Sequence, residues 1–304
     1  MYLKIFFHRD YHKFSGGHLK VWDYFSHAQS SEKLQPLIYF TPTSVWDDSN
    51  PWKNSKHSLL KSWDPTQADV LFVAGFDWMT LPELPNIPVV NLIQGLSHAF
   101  PNDPKYCFLS RKAIRICVSE EVSAAIKSTG IVNGPVITIP NGLDTSLFPP
   151  PSNFRNIPLL IAGMKNPQLA RTLSERLVQS GIPNHCQTEH LSRQDFLALL
   201  GRSKRAVFLP CEQEGFYLPA IEGMAMGAVV ICPDCVGNRS FCLDGLNCFR
   251  PNYSLDSIMS GVHIAIQQSQ EQEVLMKFQA MVQVKKHDLL SERRAFLKIL
   301  ETIL

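Results

Sequence analysis

The sequence predicts an α/β protein built from two doubly wound parallel-sheet units. Short apolar runs alternate with amphipathic stretches through both halves, the pattern of βα units. The chain has 304 residues, about twice the usual single-domain length. Three consecutive prolines at 149–151, which fit neither a helix interior nor a central strand, separate the halves.

In the first half the strand candidates are 3–7, 37–40, 70–74, 89–93, 114–118 and 136–139, with helical stretches at 19–28 and 120–128. The turn-rich Pro140-Asn141-Gly142-Leu143-Asp144 leads into the prolines. The second half restarts with a strand at 159–162, then Asn166 as helix N-cap and Pro167 at the first helical position. Leu169, Leu173 and Leu177 recur every four residues on one face, and Gly181 closes that helix. Strands at 206–209 and 228–232 enclose a helix over 219–226. From 255 to 304 the pattern reads as helical throughout, with Leu290, Phe296, Leu297, Leu300 and Ile303 striping the last helix. The expected domains are therefore 1–148, 153–284 and a C-terminal helix over 285–304. Two such units facing one another would form a cleft at the carboxyl ends of their strands, where open parallel sheets bind ligands.

Composition narrows the function classes. Hydrophobic residues make up 45% and charged residues 18%, enough apolar mass for cores and too little charge for disorder. Twenty-nine basic against 27 acidic residues, with no long basic run, argue against a nucleic-acid binder. The N-terminal residues fit no signal peptide and no apolar run approaches a membrane span, so the expectation is a cytoplasmic protein, peripheral membrane contact being left open. Cys117 lies in an apolar run and reads as a small hydrophobe. Cys232, Cys235, Cys242 and Cys248 are too irregularly spaced for a zinc site, and Asp47-Asp48 sits in a polar Trp/Asn/Pro-rich loop, so no metal is expected.

The most informative segment runs from Phe208 to Gly227. A strand ends, a loop carries Glu214 and Gly215, and a helix begins near Pro219. Amides at a helix start form an anion site, and carboxylates accept hydrogen bonds from hydroxyls. Glu214 with Glu222 thus suits a polyhydroxylated ligand whose phosphates meet the helix end. The alternative is two ordinary surface glutamates.

The surroundings of the pair read E-G-F-x-L-P-x-I-E-x-M-A-x-G, followed by Val-Val-Ile and a proline. This resembles the E-x7-E segment of retaining GT-B glycosyltransferases of the family 4-like group. Val236-Gly237-Asn238-Arg239 and Asp244-Gly245-Leu246-Asn247 resemble that family's glycine turn and D-G-x-N element. Cys117-Val118-Ser119-Glu120-Glu121-Val122 and Ile139-Pro140-Asn141-Gly142-Leu143-Asp144 resemble the segments closing its first domain. The likeness runs from about 114 to 250 and is topological before that.

The resemblance implies two Rossmann-like domains facing across a cleft, the last helix crossing back onto the first, with the acceptor on the N-terminal side and the donor on the C-terminal side. It assigns Glu222 to the ribose hydroxyls, Glu214 to the transferred sugar, and the amides of Gly215, Phe216, Tyr217 and Leu218 to sugar and phosphates. Gly16 and Gly17, in Ser15-Gly16-Gly17-His18, would admit a phosphate, against the alternative of a plain strand–helix turn. His98, in the loop after 89–93, is the candidate beside the reacting carbon, against a structural histidine, with His8 a rival. Where the family has G-R-x-x-x-K, this chain has Gly163-Met164-Lys165. Lys165 is left as the point charge on the diphosphate, and Arg239 is the candidate second cation. Ser240 stands where the family has glutamate.

The reading is a retaining, hexosyltransferase-like enzyme moving sugar from a UDP- or GDP-linked donor to a hydroxyl acceptor (glycan, lipid-linked or small molecule), with no metal or other cofactor. One alternative is a non-catalytic sugar-nucleotide or glycan-binding subunit with a decayed site. Another is a nicotinamide oxidoreductase, disfavoured because G-x-G-x-x-G is missing.

Overall fold

The computed structural model describes residues 2–82, 86–150, 152 and 154–303. Pro151 and Asn153 of the expected boundary, like Met1 and Leu304, lie outside the described residues. The chain divides into one unit that runs to Asn141 and resumes at Leu289, and a second spanning Gly142–Asp288. The expected divisions were 148/153 and 284/285. The Leu143 amide donates to the His287 carbonyl at 2.8 Å, which ties the start of the second unit to its end.

The first unit contains β1 (Leu3–Arg9), α1 (Gly16–Gln29), β2 (Leu34–Phe40), β3 (Val70–Ala74), β4 (Val89–Ile93), β5 (Ile114–Cys117), α2 (Glu120–Ser128) and β6 (Val136–Thr138). Its sheet is parallel, in the order β2-β1-β3-β4-β5-β6. Every residue of β3 and β4 is buried, as expected of central strands covered on both faces. β2 starts earlier than expected and includes Pro36, which an edge strand tolerates because one side of its backbone needs no ladder partner. The extended Ser15 caps α1 by accepting from the His18 amide at 3.2 Å. That cap starts the helix at Gly16 rather than 19, so Gly16 and Gly17 form its first turn instead of a preceding loop.

The second unit contains β7 (Ile157–Ala162), α3 (Pro167–Gln179), β8 (His185–Gln187), α4 (Arg193–Gly201), β9 (Ser203–Phe208), α5 (Leu218–Ala225), β10 (Val229–Ile231), α6 (Leu255–Gln267) and α7 (Gln270–Lys286). Its parallel sheet has the order β10-β9-β7-β8. Asn166 caps α3 by accepting from the Leu169 amide at 3.3 Å, and Pro167 follows at the first helical position. Leu173 and Leu177 are buried against Leu159, Ile161, Val207 and Ile231. β8 and α4 were not anticipated: β8 is a three-residue edge strand, and α4 is a nine-residue helix.

The stretch read as helical from 255 onward, with a last helix expected over 285–304, is three helices. Ser269 and Gln272 cap each other reciprocally, at 2.9 and 3.2 Å, and so begin α7 anew. The last helix, α8 (Leu289–Glu301), follows a break at His287-Asp288. Within the first unit, α8 packs Phe296 edge-on to Tyr24 at 4.8 Å. Its buried Glu292 accepts from the Lys20 ammonium at 2.7 and 2.9 Å and lies 3.0 Å from His27 Nε2. Leu290, expected on the buried stripe, is exposed. Among the described residues no helix is long and apolar enough to cross a membrane.

Candidate functional site

In the second unit the chain passes from β7 to β8 on one side and then to β9 on the other. The loops after β7 and β9 therefore leave adjacent carboxyl ends at the point where strand order reverses. Gly163 opens the loop after β7. A Cβ there would lie 2.1 Å from the Ala170 side chain, so only glycine lets α3 start this close. Two residues later, Lys165 Nζ lies 3.1 Å from Glu214 Oε1 in the loop after β9, with side chains 48% and 21% exposed. The structure thus brings these two predicted residues together, part-open to solvent.

The glycine turn Val236–Asn238 packs on the Glu214 loop. A Cβ at Gly237 would meet the Glu214 carbonyl at 2.8 Å and the Phe216 nitrogen at 2.9 Å. The Gly237 carbonyl accepts from the Tyr217 amide at 2.8 Å, and the Leu218 amide donates to the Phe216 carbonyl at 3.1 Å. Two of the four expected ligand-facing amides are thereby already bonded within the chain. Those of Gly215 and Phe216 have no backbone acceptor among the described residues. Tyr217 is itself buried, and Phe216 packs on Phe241 and His287 at 5.0 and 5.2 Å.

Glu222, on α5, is buried, and its Oε1 accepts from Arg193 Nη2 at 2.9 Å. Burial pushes its carboxyl pKa up and Arg193 pulls it back, leaving a net rise. The Arg193 guanidinium lies over the Phe148 ring at 5.5 Å. Arg239 is held by Asp234 through contacts of 2.6 and 3.2 Å, which keep the Asp234 carboxyl below its ordinary range. The Ser240 carbonyl accepts from Gln283 at 3.2 Å. Cys232, Cys235, Cys242 and Cys248 are buried free thiols beside this turn. Among the described residues no three His, Cys, Asp or Glu side chains are placed to hold a metal.

In the first unit, Gly16 and Gly17 follow β1, and the Gly17 carbonyl accepts from Gln94 Nε2 at 3.2 Å just beyond β4. His98 lies buried in the short turn Leu96–Ala99. Burial, with a smaller contribution from Lys105, lowers its pKa to about 4 and holds it neutral. His8, in contact with Trp63 at 5.0 Å, is lowered to about 4 by burial and by Arg9. Arg9 and Asp77 form a buried ion pair, and Asp77 also accepts from the Ala74 amide at 2.8 Å.

Residues 148–280 match the family of glycosyl transferases group 1. The chain carries a glycosyl transferases group 1 segment. Solved structures extend the likeness to the whole fold. Sucrose-phosphate synthase from Thermosynechococcus elongatus superposes with a TM-score of 0.76 at 10% identity, covering 99% of both chains. HepE from Anabaena, in complex with UDP-glucose, gives 0.77 at 13% identity over 99% of this chain and 100% of that one. A glycosyltransferase from Rickettsia africae gives 0.70 at 14% identity over 99% and 98%. These likenesses show the fold, a two-unit α/β architecture of GT-B type. Sequence comparison with curated proteins gives no match.

Chemically, the group 1 segment presents a part-exposed ammonium beside a carboxylate, with a buried carboxylate–guanidinium pair on α4 and α5. Sequence reasoning named Lys165, Glu214 and Glu222, without the contact between the first two, and missed Arg193. Ser192 marks the α4 start by accepting from the Asp195 amide at 3.1 Å, a cap signal that could have located the helix but not its partner. Asp77 and Asp234, which engage the two arginines Arg9 and Arg239, were also missed.

Proposed function

We propose that this chain is a retaining, family 4-like hexosyltransferase that moves sugar from a UDP- or GDP-linked donor to a hydroxyl acceptor without a metal. The observation that carries the reading is the Lys165–Glu214 pair at the strand-order reversal of the group 1 segment. In this reading Glu214 exchanges part of its contact with Lys165 for hydroxyls of the transferred sugar. Lys165 then faces the diphosphate. The bond from the anomeric carbon to diphosphate breaks, the acceptor oxygen bonds on the same face, and the acceptor proton passes to the leaving phosphate. Negative charge grows on the diphosphate during this step, so Lys165 stabilises the transition state more than the bound donor.

Glu222, oriented by Arg193, takes the ribose diol, and the Gly215 and Phe216 amides face sugar and phosphate. In the first unit, assigned to the acceptor, Gly16 and Gly17 offer amides to phosphate, and neutral His98 is the candidate beside the acceptor. That HepE is solved with UDP-glucose supports a nucleotide-sugar donor. The second reading, a binding subunit with a decayed site, is favoured by Met164 where the family has arginine and by the engagement of Arg239 with Asp234.

Incubation with a panel of UDP- and GDP-sugars should release nucleoside diphosphate. With an accepted hydroxyl compound, the product should keep the donor's anomeric configuration by NMR. Calorimetric donor binding with no release under any condition would leave only the binding-subunit reading. Glu222→Ala should weaken free diphosphate binding about tenfold or more, from loss of a charge-assisted bond of about 1.5–3 kcal/mol. Unchanged affinity would remove Glu222 from the donor site.

A further inference from the structure

Helix α7 buries one face, through Met276, Ala280, Gln283 and Val284, against neighbours that include α5 and β10. Its outward face is apolar and uncovered. Val274 is 61% exposed, Leu275 60%, Phe278 62%, Met281 36% and Val282 38%. At 3.6 residues per turn these five positions form one stripe, where a solvated helix would carry charge. Single exposed apolar residues are ordinary, but a contiguous stripe marks an interaction surface. Leu246 and Ile264, both exposed, line a groove with Leu275 and widen the patch.

The order of residues along the stripe indicates what covers it. Val274 and Val282 stand four positions either side of Phe278, Leu275 and Met281 three, and the exposed Glu271 and Lys285 seven. A two-fold interface must be self-complementary, with each residue meeting its symmetry-related partner position. We propose that α7 is a homodimer interface, lying antiparallel on α7 of a second copy. Phe278 meets its own counterpart at the axis, Val274 meets Val282, Leu275 meets Met281, and Glu271 pairs with Lys285 at both ends. The pairing spans about 21 Å at 1.5 Å per residue and sets the helix dipoles in opposition, which is favourable. A parallel pairing would put Glu271 on Glu271 and Lys285 on Lys285. An anionic membrane would meet Glu271 as well as lysine.

Sedimentation of the full chain should show a dimer. Phe278→Glu should make it monomeric and still folded, melting where the parent melts once diluted below its dimer dissociation constant, because the side chain is exposed in the single chain. Glu271→Lys and Lys285→Glu should each weaken the dimer about tenfold, since both symmetry-related pairs become like-charged. The double reversal should restore it. A parent chain that stays monomeric at its highest soluble concentration would overturn the proposal. So would a dimer that survives Phe278→Glu, or a double reversal that fails to rescue. A monomer that floats with anionic vesicles, and stops doing so in Phe278→Glu, would also overturn it and give the face to a membrane.

Discussion

The two units solve the same topological problem with opposite outcomes. In each, a cation at or after the unit's first strand meets a carboxylate in the loop after the strand on the far side of the order reversal. In the first unit these are Arg9 and Asp77, with side chains 8% and 9% exposed. In the second they are Lys165 and Glu214, at 48% and 21%. Arg9 also donates to the Ala74 carbonyl at 3.2 Å, so its planar fork is spread over several fixed acceptors and seals the strand ends. Lys165 is a single point charge on a flexible stem with half its surface open, so it remains available to a ligand. Convergent loops create a charge pair in both units; burial and the number of partners separate a structural clasp from a candidate site.

The largest expected effect tests the sealed unit by pH. His8, His18 and His98 all lie there, each lowered to about 4 chiefly by burial. Arg9 adds to the lowering at His8 and His18, and Lys105 at His98. Between pH 6.5 and about 4 the unfolded chain holds these protons and the folded one does not. Stability is therefore complete above pH 6.5 and falls as pH drops, by up to about 1.4 kcal/mol per pH unit for each of the buried His8 and His98 and by less for the half-buried His18. Hydrogen exchange at pH 5 should show β1, α1 and the Leu96–Ala99 turn losing protection ahead of the second unit's sheet. If the second unit opens first, the histidines are not what limits acid stability.

Next in size is Asp77→Ala, which leaves the Arg9 guanidinium buried and unpaired. Loss of one partner of a buried pair costs about 3–5 kcal/mol, to be read from denaturant midpoints. A loss below 1 kcal/mol would show that the carbonyl acceptors alone hold Arg9. The matching change in the open pair, Lys165→Met, should leave stability nearly intact, since part-exposed pairs contribute about 0–1 kcal/mol. Its turnover should fall about 10²–10³-fold, by analogy with deletion of an oxyanion donor, with little loss of donor affinity. Parental turnover in Lys165→Met would remove the open pair from the chemistry.

The same contrast explains what could be read from the sequence. Asn166-Pro167, the leucine spacing of α3 and the segment from Glu214 to Gly227 signal their structures locally, through caps, periodicity and glycines at close approaches. The Glu222–Arg193 pair spans 29 positions and exists only because α4 and α5 pack together, which no local pattern encodes. Arg9–Asp77 likewise depends on β1 lying beside β3. Gly16 and Gly17 were legible as special but not as helical, because the extended Ser15 cap decides where α1 starts. β8 was lost because a three-residue edge strand with one apolar residue, Cys186, between His185 and Gln187 is too short to show alternation.

The smallest expected effect concerns Arg239, the candidate replacement for the arginine missing at Met164. Its guanidinium grips the Asp234 carboxylate at 2.6 Å, and its side chain is 47% exposed. To serve a diphosphate it would have to give up that grip, worth about 0–1 kcal/mol for an exposed pair, and the displaced carboxylate would stay close by to oppose the ligand's charge. Arg239→Met should therefore change turnover by less than about fivefold, far below the Lys165 effect. Asp234→Asn, which removes the carboxylate charge facing Arg239, should be equally mild. A loss in Arg239→Met matching that of Lys165→Met, with Asp234→Asn faster than the parent, would reverse the assignment. The glycine turn would then supply a second cation, and Asp234 would be the group that restrains it until donor arrives.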